Sequence, residues 1–130
     1  MAWIDNDAIV RKPLDGLWEG VVPNSIKVWY RKKKLDEYKL QTGVYVIGRG
    51  NESVKYCSNI IKGLEGTDNW LLPQLLMYNE LNNMKLINMG DSFNDSRFKN
   101  GSHIWHCKAN HFSNPKYQQE YRKYTNELRI

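Results

Sequence analysis

The sequence predicts an α+β fold: a small antiparallel sheet built around a central hairpin, with a short middle helix and a C-terminal helix packed on it. Three observations carry this. Residues 25–31 alternate apolar and polar side chains with a period of two, as a half-buried strand does. Residues 42–49 and 54–61 are rich in β-branched and aromatic side chains and flank the turn formers Gly50, Asn51, Glu52 and Ser53. Two later stretches, 71–84 and 113–128, space their apolar residues as helices do.

Residues 1–24 mix turn formers (Pro13, Gly16, Gly20, Pro23) with short apolar groups, which predicts an irregular arm with short strands, tied down by its tryptophans. The strand from Ser25 sets Ile26, Val28 and Tyr30 against Lys27, Trp29 and Arg31 and ends in a lysine run. The hairpin 42–61 follows, then a loop over 63–69. Leu72, Leu75, Leu76 and Leu81 form one helical face, which accommodates Pro73 only in its first turn. Residues 85–89 predict a further strand and 90–101, which are polar, a surface loop. In the last helix Ser113 or Asn114 caps, Pro115 suits the first position, and Tyr117, Tyr121, Tyr124 and Leu128 recur at helical spacing.

At 130 residues, 41% hydrophobic and 12% aromatic, the chain reads as a single domain with a packed core. No apolar run approaches the ~20 residues of a bilayer-spanning helix, and the acidic start differs from a signal peptide. A cytoplasmic protein is expected, with Cys57 and Cys107 as structural free thiols. Fourteen Asn, and thirteen Lys against six Arg, suggest an AT-rich genome of bacteriophage or low-GC bacterial type, hence host cytoplasm for a phage protein.

The formal charge is +5, and its distribution is uneven. Lys27, Arg31, Lys32, Lys33, Lys34 and Lys39 stand against only Asp36 and Glu37, a local excess of +4. Trp29, Tyr30, Arg31, Lys32, Lys33 and Lys34 place aromatics beside cations, a combination that neutralises phosphates and stacks on bases. These six are the candidate nucleic-acid-binding residues.

All three histidines lie between positions 102 and 111, with Cys107 among them. On a helix His103, Cys107 and His111 would share a face; on a strand, a rise of ~3.3 Å per residue puts His103 and Cys107 about 13 Å apart. The Ile104-Trp105 pair favours a strand, so neither a metal nor any other cofactor is expected. His106 or His111 paired with Asp91 or Asp95 is the alternative arrangement, a general base.

Gly43-Val44-Tyr45, followed by Tyr56-Cys57-Ser58-Asn59, resembles the paired motifs of GIY-YIG endonucleases over about twenty residues. The resemblance implies two tyrosines on adjacent strands, an arginine on a following helix and a downstream glutamate holding a divalent metal. Here the second motif lacks its glycine, Lys62 stands in place of arginine, and Glu80 comes earlier than the family's glutamate.

The leading expectation is a small non-enzymatic accessory or regulatory protein that binds nucleic acid, or a nucleic-acid-handling protein, through its basic aromatic surface. The alternatives are a protein-binding inhibitor or virion component, and a degenerate metal-dependent nuclease of the GIY-YIG type.

Overall fold

The computed structural model describes residues 1–31, 40–69, 71–107 and 112–127. Lys32, Lys33, Lys34, Lys39, Trp70, His111 and Leu128 therefore lie outside the described residues. The α+β class holds. Strands β1 (Ala2–Ile4), β2 (Ala8–Val10), β3 (Ser25–Tyr30) and β4 (Leu40–Ile47) come first, followed by helices α1 (Asn51–Leu64) and α2 (Leu72–Asn79). Strands β5 (Lys85–Asn88) and β6 (Ile104–His106) and helix α3 (Pro115–Glu127) complete the order.

Four strands form one sheet in the order β1-β4-β3-β5, and β2 pairs with β6 in a second. The larger sheet is mixed rather than antiparallel: β4 runs antiparallel to β1 and β3, whereas β5 lies parallel to β3. A parallel pair needs a long crossover, and α1 with α2 supplies it.

That crossover overturns the expected central hairpin. Residues 54–61 are strand-like in composition, yet they belong to α1. The buried Ser53 and Tyr56 and the core-packed Cys57 and Ile60 recur at helical spacing, whereas Val54 and Ile61 face solvent. The packing of that stripe on the sheet decides against local β-propensity. The predicted turn is the helix start: Gly50 sits at φ +125°, and the Asn24 side chain accepts hydrogen bonds from the Glu52 and Ser53 amides. Asn24 thereby satisfies two of the amides that a helix start leaves without partners.

Each face of the larger sheet builds a core. Ile26, Val28, Leu40 and Ile47 pack under Tyr56 and Met77 of the two helices. On the other face Val44 and Val46 meet Leu17, Met89, Phe93 and Ile104. Leu17, fully buried in the 3-10 turn Asp15–Trp18, anchors the arm; Trp3 and Trp18 are about half exposed, with Trp3 stacked on Tyr45. Lys27 shares this second face. It is buried, and its ammonium donates to the Gly16 and Glu19 carbonyls that end the turn. Burial lowers its pKa, with Glu19 opposing.

The C-terminal helix packs on the small sheet rather than the large one. Tyr117 is fully buried with Ile9, Phe98, Trp105 and Cys107, whereas Tyr121 and Tyr124 remain partly exposed. Asn114 caps this helix through its side chain. Residues 90–101, expected as a surface loop, also carry a core: Phe93, Asn94, Asp95, Ser96 and Phe98 are all buried. No helix among the described residues is long and apolar enough to cross a membrane.

Candidate functional site

Two groups of residues meet around Gln41, near the start of β4. Gln41 faces Trp29 across the β3–β4 ladder, and its carbonyl accepts a hydrogen bond from the Asn94 side chain.

The first group is the predicted basic end of β3. Trp29 and Tyr30 are half-buried and Arg31 is exposed. Trp29 packs against one core and Tyr30 against the other, as alternation along a strand requires. The Arg31 guanidinium lies over the Trp29 ring, 5.5 Å from its centroid, so cation and aromatic form one unit at the strand end. Asn88 on β5 holds the Tyr30 backbone, exchanging hydrogen bonds with its amide and its carbonyl. Lys27 does not belong to this surface, because it is buried with its ammonium on the Gly16 and Glu19 carbonyls.

The second group is centred on His106, which the sequence offers as a general base with Asp91 or Asp95 rather than with the partners found here. Its Nδ1 lies 3.1 Å from Asn94 Oδ1, and its Nε2 lies 3.3 Å from Asp5 Oδ2 and 3.2 Å from Asp7 Oδ1. Asp5 and Asp7 sit on the turn joining β1 to β2, a turn held by the Ala8 amide bonding the Asp5 carbonyl and the Asp5 amide bonding the Gly43 carbonyl. Register brings the histidine to them, since His106 on β6 pairs with Ala8 on β2.

Gly43 is the seat of the imidazole. A β-carbon there would come within 2.2 Å of the His106 ring. The β3–β4 register shifts between Val28 and Trp29, so residues 42–44 of β4 bulge out of the ladder at the place where the ring lies.

The predicted aspartate partners of His106 are engaged elsewhere. Asp91 bonds Lys99 at 2.7 Å. Asp95 is buried and accepts hydrogen bonds from the Arg97 and Lys99 amides and the Ser102 hydroxyl. Burial alone would raise its pKa, but those donors, Ser102 first, outweigh it and hold the carboxyl below its ordinary value. His103 faces Ser92 Oγ through Nδ1 at 2.8 Å and stacks on Phe93. Cys107 is buried beside Tyr117, and burial raises the pKa of both Cys107 and Cys57.

The tyrosine pair behind the GIY-YIG resemblance does not lie on adjacent strands. Tyr45 is on β4, but Tyr56 is buried in α1 with its hydroxyl on the Met77 carbonyl. Burial raises the pKa of both phenols.

No protein-family model, curated protein or solved structure matches the chain.

Proposed function

We propose that this protein binds nucleic acid through the basic end of β3, as an accessory rather than a catalytic component. The observation that carries the reading is the Arg31–Trp29 pair, a cation layered on an aromatic ring at a strand end whose sequence runs on into Lys32, Lys33 and Lys34. Lysines attract the phosphate backbone without regard to sequence, and an arginine layered on an indole offers a flat cationic surface to a base or phosphate. The net charge of +5 favours a polyanionic partner.

The test is fluorescence anisotropy with labelled single- and double-stranded oligonucleotides over a salt series. Four phosphate contacts predict affinity falling about 100-fold between 50 and 200 mM salt. Replacing Lys32, Lys33 and Lys34 together by alanine should flatten the log–log slope by about 2 to 3. Arg31→Ala should weaken binding while leaving most of the salt dependence. Absence of binding at low salt, or binding indifferent to the triple substitution, rejects the proposal and turns attention to a protein partner. The exposed aromatics Trp3, Trp18 and Phe112 favour that second reading.

A further inference from the structure

We infer that Asp5, Asp7 and His106 form a binding site for one divalent transition-metal ion of zinc-like chemistry, independent of any nucleic-acid contact. The three side chains each offer one ligand atom, and those atoms all lie within 4.8 Å of one another. Ligand atoms ~2.0–2.1 Å from a tetrahedral ion stand about 3.3–3.4 Å apart. The two Nε2–oxygen distances, 3.3 and 3.2 Å, match that spacing.

The imidazole is set for ligation by a residue behind it. Asn94 is 1% exposed, and its amide nitrogen donates to the Gln41 carbonyl at 2.9 Å, which fixes the orientation of the amide. Its oxygen therefore faces His106 Nδ1 and accepts the proton there. In the neutral ring Nε2 then carries the lone pair, aimed at two carboxylates. A proton on Nε2 would pair the ring with both carboxylates at these distances, and with the ring neutral a cation between the three groups takes that proton's place. A hydrogen bond that fixes the far nitrogen is the usual support of a metal-bound histidine, and here the Asn94 side-chain oxygen fills that place.

Asp7 supplies a second, independent sign. Its Oδ1 atom is out of contact with solvent and has no hydrogen-bond partner, although Nε2 is only 3.2 Å away. That contact is an ion pair when the imidazole is protonated; with the ring neutral the oxygen is left without a partner, which is costly for a buried carboxylate atom. An ion coordinated by all three groups satisfies it.

The surroundings hold the ligands in place. Asp5 presents Oδ2 because its Oδ1 accepts a 2.6 Å bond from the Trp3 indole. The Tyr117 hydroxyl bonds the Asp7 carbonyl at 2.6 Å, so α3 steadies the turn from behind. The donor set, one imidazole nitrogen and two carboxylate oxygens, suits zinc and its first-row neighbours better than magnesium or calcium, which prefer oxygen alone. Three protein ligands leave a tetrahedral ion one further position for water or a ligand.

The experiment uses the full chain, stripped with chelator and titrated with Zn²⁺, Co²⁺ and Mg²⁺ by calorimetry, with thermal melting and Co²⁺ visible absorption in parallel. The expected result is one Zn²⁺ bound per chain, a rise in Tm, a tetrahedral Co²⁺ spectrum and much weaker Mg²⁺ binding. Asp7→Asn should weaken Zn²⁺ binding at least ~10-fold, and His106→Gln should abolish it. Asp7 is partly exposed, so its variant decides the matter even if His106→Gln does not fold. Failure of Zn²⁺ to bind the wild type, or equal binding by Asp7→Asn, overturns the inference. Because no readout involves an oligonucleotide, failure here leaves the nucleic-acid proposal standing, and the reverse holds.

Discussion

The four-stranded sheet and the small β2–β6 sheet are held together by different means. Around the larger one the buried side chains are mainly aliphatic: Ile26, Val28, Leu40, Val44 and Val46 are all at most 1% exposed. Around the smaller one the core is aromatic, with Trp105, Phe98 and Tyr117, and the segment leading into it buries Asn94, Asp95, Ser96 and Ser102. Aliphatic burial is non-directional and scales with area. Buried polar groups contribute little unless every donor and acceptor is met, but they then fix one arrangement. The larger sheet is the scaffold. The smaller is the part whose conformation is specified contact by contact, and it carries His106.

The largest break in this contrast is Trp105→Ala. Its ring lies under the Arg11 guanidinium, 3.8 Å from the centroid, its indole nitrogen donates to the Lys99 carbonyl, and it packs on Phe98. Truncation should cost about 3–5 kcal/mol in denaturant unfolding. Backbone NMR shifts should move in β2, β6 and α3 and persist in β3 and β4.

Asp95→Asn should cost less, about 2–3 kcal/mol, because an amide replaces a carboxylate that accepts three hydrogen bonds. It also separates the two regions by pH. A carboxyl held low in the folded state contributes stability that is complete above the unfolded pKa of about 3.9 and is lost as pH falls through the folded value. Glu120, whose burial is outweighed by Lys123 and Arg11, is lowered too and acts over the same range. The wild type should therefore lose stability below about pH 4, and Asp95→Asn should lose less over that interval in acid melts.

Tyr117→Phe is the mildest change, removing only the hydroxyl that bonds the Asp7 carbonyl, with the ring left in its cluster. About 1 kcal/mol is expected from thermal unfolding. A value near zero would mean that the aromatic packing and the Arg11–Glu120 ion pair hold α3 against the small sheet without this hydrogen bond.

The larger sheet was legible in part from side-chain alternation, although β3, expected to be half-buried, is covered on both faces from Ser25 to Val28. The alternation around Ile26 and Val28 marks β3, and the leucines with Pro73 in the first turn mark α2. Where local preference and packing disagree, the reading from sequence fails. Val54, Tyr56, Ile60 and Ile61 favour strand one by one, yet the buried stripe through Tyr56 makes them helix. Polarity misleads similarly over 90–101, where Asn94 and Asp95 are buried because their side chains bond backbone groups and neighbouring side chains. Phe98, at φ +58°, stays in the left-handed region while buried against Trp105 and Tyr117.

By itself the sequence determined the α+β class, most of the helices and strands and the cationic end of β3, because these follow from side-chain periodicity and from charges close together in the chain. Tertiary structure alone decided the company of His106. Its partners are Asp5, Asp7, Gly43 and Asn94, brought to it by strand register and a bulge. No local pattern encodes such a meeting, since pairing between β2 and β6 joins segments about a hundred residues apart.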